Sequence, residues 1–242
     1  MALKISLTII LCWILGTALA QTPAFCQCDS LLEKIMEPRL TGDLYIKPVP
    51  SSISQFFMDD WVIGTIYLSN DRTITNVYLK YNGYIDRPIW MTDDFVQIRL
   101  DKEPIRSFCL TDRYVPGISY CFEKIKIPKE LSSDSTKVFA QVLYKNLLSL
   151  LVERKVVLTG VEERKLDRFI IDSYEKRNIY FFRLGEQITE GFRKINKKNV
   201  LKTFPERKED IEKLFRSEKP NRVRTEEDLI RFAARLNDMF YP

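Results

Sequence analysis

Two pairs of adjacent aspartates stand beside large aromatic residues. Asp59-Asp60 precedes Trp61, and Asp93-Asp94 precedes Phe95. Glycoside hydrolases need two carboxyl groups facing a sugar, so the pattern allows a carboxylate-based glycan hydrolase that takes one acid from each pair. Asp-Asp is also a common turn sequence before a strand, and this interpretation is the stronger one. Neither pair lies in an EF-hand-like series, so calcium binding is not indicated.

The composition removes most other catalytic chemistry. The chain has no histidine, which excludes Ser-His-Asp and Cys-His catalysis and histidine-ligated metals within this chain alone. There are 8 glycines and no glycine-rich phosphate loop. Ser173 and Lys176 have the spacing of a serine–lysine pair, but the companion motifs of the penicillin-binding enzymes are absent. We therefore predict a non-enzymatic protein with no catalytic residue, cofactor or metal.

Four cysteines remain if the first 20 residues are removed. Cys109 and Cys121 flank the turn-like sequence 115–117, so folding back at this turn makes them cross-strand neighbours and predicts a disulfide. Two buried free thiols are the alternative. Cys26 and Cys28 would form a strained ring if joined, and their state stays open between binding a partner and remaining reduced. Zinc is disfavoured because paired CxxC elements are missing.

The N-terminus has the three zones of a secretory signal peptide. Lys4 precedes an apolar stretch over 5–15, and Ala18 and Ala20 occupy the positions that signal peptidase recognises. We expect residues 1–20 to be cleaved before Gln21, since the apolar stretch is shorter than a transmembrane helix needs. An uncleaved anchor is the alternative. No cysteine stands at the cleavage point, so the exported protein is not expected to be lipidated.

The mature chain contains enough apolar residues, 45% of the whole sequence, for a substantial core. We predict an α+β fold, with a mainly antiparallel sheet that is rolled or sandwich-like and a small C-terminal helical hairpin. The predicted organisation is a helix and an extended segment over 21–60, an antiparallel β domain over 61–189 and a basic helical region over 190–242.

The elements follow from hydrophobic periodicity. A helix should follow Asp29, and a hairpin should join 61–68 to 73–81. Further strands are predicted at 89–91, 95–100, 105–110, 119–122, 138–144, 148–158, 169–174 and 179–184. The apolar run 147–152 is compatible with a buried helical turn as well as with a strand. Apolar stripes predict two C-terminal helices, one after Pro205 and one capped by Thr225.

The positive charge lies in the C-terminal part. Residues 151–242 hold 22 Lys and Arg against 17 Asp and Glu, a charge of +5 that equals the formal net charge of the chain. The densest cluster could face an anionic membrane surface or an acidic partner, although a solvated helix face is the simpler interpretation. Nucleic acid is not expected, because aromatic residues are not interleaved with the cluster. The cluster consists of Arg193, Lys194, Lys197, Lys198 and Lys202.

The order of several short motifs resembles uncharacterised exported proteins of Bacteroidota. These motifs are the sequences at 64–70, 79–82, 96–100 and 105–108, together with Val142-Leu143-Tyr144 and the lysine-containing segment 199–202. The resemblance spans most of the mature chain. It implies a β-rich body, a basic helical end and a periplasmic or outer-membrane-associated location, and it carries over no active-site residue.

These observations favour a non-enzymatic binding or scaffold component of the bacterial cell envelope, in complex with an envelope protein. The candidate partner contacts are Trp61, Trp90, Tyr81 and Tyr84, although a core position is the stronger interpretation for each. The alternatives are the carboxylate-based glycan hydrolase and a carrier whose rolled sheet encloses a lipid-like ligand.

Overall fold

The computed structural model describes residues 40–46, 51, 53–127, 136–164, 169–194, 196–217 and 223–241. The predicted signal peptide, the helix expected after Asp29, Cys26 and Cys28 lie outside these residues. Within them, no helix is long and apolar enough to span a membrane. No group of three or more cysteine or acidic residues in the same part of the chain could hold a metal ion.

The described chain forms eleven strands and three α-helices. The strands are β1 Gly42–Leu44, β2 Val62–Leu68, β3 Thr73–Asn82, β4 Arg87–Met91, β5 Gln97–Leu100, β6 Ile105–Thr111, β7 Ser119–Ile127, β8 Thr136–Tyr144, β9 Leu148–Arg164, β10 Phe169–Leu184 and β11 Gln187–Ile188. The helices are α1 Lys197–Thr203, α2 Lys208–Ser217 and α3 Glu226–Phe240, with a 3-10 turn at Pro205–Arg207. The strands form one open sheet in the order β1-β5-β4-β3-β2-β6-β7-β8-β9-β10-β11. The α+β class with a mainly antiparallel sheet is therefore confirmed.

The strands follow the predicted alternation, with two informative differences. The β2–β3 hairpin is confirmed, and β2 buries every second residue. The run 147–152, for which a helical turn is the alternative, lies in the predicted strand from Leu148 onward, because β10 pairs with residues 148–152 and β8 with residues 150–152. The strands expected at 169–174 and 179–184 are one continuous strand. The polar segment Glu175–Asn178 between them pairs with β9 residue by residue, and this pairing overrides its low apolar content.

The open sheet is rolled. Four strands separate β3 from β9 in the sheet order, yet the amide of Val156 in β9 donates to the carbonyl of Gly83, just after β3, at 3.0 Å. The concave face is filled by an aromatic core in which Phe108 and Phe122 stack at 4.8 Å. All the described strands belong to one sheet, so of the two predicted arrangements, rolled or sandwich-like, the rolled one describes the body.

The C-terminal helices pack on β9 and β10. Thr225 caps α3, as predicted, in a capping box with Asp228. A second core lies between the helices and the sheet, and it contains Leu150, Phe182, Ile211 and Phe232, all buried. Other side chains of β9 and β10 face a third cluster, so both faces of these strands are covered here.

The predicted cysteine pair is confirmed at disulfide distance. Cys109 of β6 lies opposite Cys121 of β7 in the register, and the two sulfur atoms are 2.05 Å apart. The covalent link therefore joins two neighbouring strands of the rolled body.

Candidate binding surface

A two-stranded arm extends β9 and β10 beyond the rest of the sheet. The two strands pair along their whole length, but β8 pairs with β9 only as far as Val152, and β11 pairs with β10 only at Arg183 and Leu184. We call Val157–Arg164 with Phe169–Glu175 the arm. Its β9 strand has eight residues and spans about 26 Å at 3.3 Å per residue.

Among the described residues, the outer edge of β9, the edge away from β10, has no backbone partner along the arm. The bond from Val156 to Gly83 is the last backbone hydrogen bond to this edge within the described chain. The arm also exposes Leu158 and Val161, at 41% and 59% of their surface. On the other side of the arm, Ser51 forms a parallel bridge with Asp172. The β9 edge is thus the free side, and free strand edges are where other chains add strands.

A cleft of about 470 Å³ lies at the base of the arm. We call it the tyrosine cleft, because three tyrosines, one each from the β1 end, the β3–β4 turn and β10, form its walls. Two of them, Tyr84 and Tyr174, meet edge to face with ring centroids 5.2 Å apart. The full lining is Leu44, Tyr45, Ile46, Gln55, Tyr84, Ile85, Arg99, Leu158, Asp172 and Tyr174.

Hydrogen bonds fix the floor of the cleft. The Gln55 amide donates to the Tyr174 hydroxyl at 2.6 Å, and this hydroxyl donates to Asp172 at 2.9 Å. The side-chain amide of Asn82 donates to Gln55 and to the Tyr45 hydroxyl. Burial and the Asp172 carboxylate raise the pKa of Tyr174 to about 12, and burial raises the pKa of Tyr45. Both phenols are protonated at neutral pH, so they serve as hydrogen-bonding groups and not as bases.

The charged groups of the cleft leave one negative charge. Arg99 donates through Nη2 to Asp43 at 2.7 Å, and these two charges cancel. Asp172 then contributes −1 to the lining. The Nε of Arg99 is buried and has no hydrogen-bond partner among the described residues. With the Arg99–Asp43 pair neutral, the remaining charge favours apolar or cationic groups over acidic ones, and the Arg99 Nε–H offers one donor to an acceptor atom.

The four predicted contact residues occupy different environments. Tyr84 lines the tyrosine cleft and is 43% exposed. Trp61 is half-buried, with the Lys80 ammonium 5.1 Å from its ring centroid, and Trp90 packs against the aromatic core. Tyr81 is buried within that core at 1% exposure. The structure thus corrects the expectation for Tyr81, because a side chain enclosed by the rolled sheet cannot touch a partner.

The fold does not bring the two aspartate pairs together. Val62, Leu79 and Trp90 lie in one row across β2, β3 and β4. Because β2 and β4 run parallel, Asp59-Asp60 precedes this row and Asp93-Asp94 follows it, on the opposite side. The sheet register therefore offers no shared sugar site for these acids.

The serine–lysine spacing does not form a pair either. Ser173 and Lys176 lie three positions apart on the continuous strand β10, and side chains at odd spacing point to opposite faces. The serine backbone carbonyl accepts a hydrogen bond from the Thr159 hydroxyl at 2.9 Å, which belongs to the arm's own pairing.

The predicted basic surface is exposed around α1. All five cluster residues, Arg193, Lys194, Lys197, Lys198 and Lys202, are exposed. An open groove of about 640 Å³ runs beside them, which we call the basic groove. It is lined by Lys197, Lys198, Leu201, Lys202, Pro205, Lys208 and Glu212. Four lysines against one glutamate make the groove strongly positive.

Sequence reasoning did not find the arm or the tyrosine cleft. The arm exists because β8 stops pairing with β9 at Val152 while β10 continues. The apolar pattern of β9 alone does not show where its neighbour in the sheet will end. Tyr84 was the one cleft residue singled out in advance. No protein-family model, curated protein or solved structure matches the chain.

Proposed function

We propose that this chain is a non-enzymatic binding or scaffold component of the bacterial cell envelope, assembled with an envelope or outer-membrane protein. The observation that carries the proposal is the arm, which carries an open strand edge and exposed aliphatic side chains beyond the part of β9 that β8 pairs with. Natural proteins protect such edges or use them for binding. The predicted signal peptide and the resemblance to exported Bacteroidota proteins support the location.

The two alternative functions receive less support from the geometry. A glycan hydrolase would need two carboxyl groups facing one cleft, and the aspartate pairs lie on opposite sides of a strand row. A lipid carrier would need an apolar cavity inside the rolled sheet. Buried Phe108, Phe122 and Phe139 pack together in that interior.

Affinity purification of the C-terminally tagged protein at native expression level, in mild detergent, tests the proposal. Mass spectrometry should find a stoichiometric envelope protein with the wild-type chain. A shortened chain, in which Asn-Gly replaces residues 159–173 between the paired residues Leu158 and Tyr174, should lose it. The control carries Val115→Lys and Ile118→Lys, which place two charges in another exposed turn and should retain the partner.

Two results would count against the proposal. Recovery of the tagged protein alone would contradict the proposal that the chain is part of a stable complex. Equal recovery with the shortened chain would remove the arm as its basis. Circular dichroism of each variant verifies that the body has folded.

The basic groove supports a second contact, with an anionic membrane surface. Lysines near an anionic surface contribute about 1 kcal/mol each, and salt screens the attraction. The purified protein should co-sediment with phosphatidylglycerol vesicles but not with phosphatidylcholine vesicles. Lys198→Glu with Lys202→Glu should abolish co-sedimentation, whereas Lys213→Glu with Arg216→Glu, on α2 outside the groove lining, should not. Co-sedimentation that survives the first pair of changes would contradict this contact.

A further inference from the structure

The arm edge and the tyrosine cleft form one continuous surface. Leu158 belongs to both, since it lies on the open β9 strand and lines the cleft. Tyr84 stands next to Gly83, the residue whose carbonyl accepts the last edge hydrogen bond from Val156. A chain that continued the pairing along β9 would therefore pass directly beside the cleft.

We propose that this surface binds an extended peptide segment of the partner protein by strand addition to β9. The inference rests on the proposed function and adds the chemistry of the partner. The peptide backbone supplies the hydrogen bonds that the edge lacks beyond Val156. One peptide side chain enters the tyrosine cleft.

The side chains at the surface specify the peptide composition. Leu158 and Val161 on the arm are exposed, and Leu44 and Ile46 beside the cleft are exposed at 64% and 80%. Leu158 and Val161 are three positions apart, but the register shift between Ser173 and Tyr174 leaves Thr159 unpaired, and this bulge returns both side chains to one face. A strand that covers them must present apolar residues at alternate positions. The cleft carries one negative charge at Asp172 and an aromatic wall at Tyr84, so it selects an apolar or cationic side chain.

Two other occupants fit the surface less well. A second copy of the chain, paired symmetrically about the centre of 157–164, would set Leu158 opposite Glu163, an apolar residue against a charged one. A lipid tail cannot satisfy the open backbone groups of a strand edge. An extended peptide can bury the apolar side chains and can also hydrogen-bond to the backbone groups of the strand edge.

Selection from a phage-displayed library of random twelve-residue peptides against the full-length protein tests the inference. Enriched peptides should alternate apolar residues and protect the amides of 157–164 from hydrogen exchange. Leu158→Lys with Val161→Lys should weaken the selected peptides by about tenfold or more, because inserted lysines block edge pairing. Tyr84→Ala should weaken them by about tenfold, as expected for a central aromatic contact.

Matched controls distinguish peptide binding at the strand edge from non-specific hydrophobic binding. Tyr78→Ala removes a tyrosine of similar exposure, 47%, on β3 and should leave peptide affinity unchanged. Methylation of alternate peptide nitrogens on the paired side should abolish binding. Thermal melts of all variants show whether each has folded.

The outcomes are distinguishable from those of the affinity purification. Selected peptides that bind the Leu158→Lys, Val161→Lys protein equally well, or a selection without enrichment, would overturn strand addition. A purified partner would still leave the scaffold proposal standing. A dimer in analytical ultracentrifugation that the same double substitution dissociates would assign the edge to a second copy and overturn the peptide assignment.

Discussion

The same two strands behave differently in the body and in the arm. Inside the body, Leu148, Leu150 and Val152 of β9 are fully buried against the helices, Leu151 is fully buried in the third cluster on the other face, and β8 occupies the outer edge. In the arm, β9 pairs with β10 on one side and has no backbone partner within the described chain on the other. A two-stranded ribbon in water is marginally stable by itself, so the arm is ordered as a continuation of the body. Binding surfaces are often taken from such weakly supported regions.

Loss of the disulfide should have the largest effect on the body. Cys109 and Cys121 are separated by 12 residues, and closing a loop of this size contributes about 3 kcal/mol to stability. Cys109→Ala with Cys121→Ala should lower the free energy of urea unfolding by this amount. Hydrogen exchange of 157–164 should hardly change, since the arm lies outside the crosslinked hairpin. An equal acceleration in the arm would show that the two regions unfold together.

Gly83→Ala tests the contact that separates the two regions. A Cβ at this position would lie 2.2 Å from the Arg154 carbonyl oxygen, and a backbone atom cannot move aside cheaply. We expect a loss of about 2–3 kcal/mol in unfolding free energy, measured in urea.

Gly160→Ala is the matched change in the arm. Its Cβ would meet nothing closer than 4.0 Å, so stability should change by less than about 0.5 kcal/mol. Equal effects of the two substitutions would contradict a packed body with an open arm.

The sequence predicted the body better than it predicted the arm. Alternating apolar residues in β2 and the capping residue Thr225 are local signals, and both produced the expected elements. Helix α1 was not separated from the basic region around it, because a seven-residue helix has too few turns to show a period.

The arm and the cleft depend on information that no single segment carries. The tyrosine cleft joins residues from 44 to 174, and only the rolling of the sheet brings them together. Gly83 permits that rolling, but a glycine after Asn82 also fits an ordinary turn. The sequence pattern therefore could not distinguish the two roles.

The β4–β5 turn holds a bulky residue in a backbone conformation that such residues disfavour. Phe95 has a φ of 61° and is 78% exposed, although bulky residues avoid the left-handed region. Phe95→Gly should stabilise the protein by about 1 kcal/mol in urea unfolding, since glycine relieves this strain. No gain would mean that the aromatic ring has a stabilising contact in solution. Loss of partner recovery by this variant would add the turn to the binding surface.

The smallest expected effects on stability come from two glutamates near the base of the arm. The pH dependence that each one contributes has the opposite sign to the other. Glu153 is buried, and this burial raises the pKa of its carboxyl, opposed in part by Lys155. Glu175 is exposed on the arm, and its hydrogen bond from Arg177 lowers the pKa of its carboxyl.

The sign of each pH effect follows from the direction of its shift. The folded chain holds the Glu153 proton to a higher pH than the unfolded chain, in which the pKa of a glutamate carboxyl is about 4.3. Stability from this group therefore falls as pH rises from that value through the raised pKa. The folded chain releases the Glu175 proton earlier, so stability from this group is present above about pH 4.3 and is lost as pH falls through the lowered pKa.

Glu153→Gln and Glu175→Gln turn this contrast into a measurement. In urea unfolding at neutral pH, Glu153→Gln should be slightly more stable than wild type, because an amide avoids burying a charge. Glu175→Gln should be slightly less stable, because it loses the ion pair with Arg177. The Glu153 difference should fall away as pH drops through its raised pKa to about 4.3, and the Glu175 difference should shrink only as pH drops further, from about 4.3 through its lowered pKa. If both variants changed the unfolding free energy in the same direction, solvent would have to reach the two glutamates equally. The base of the arm would then be as open as the arm itself.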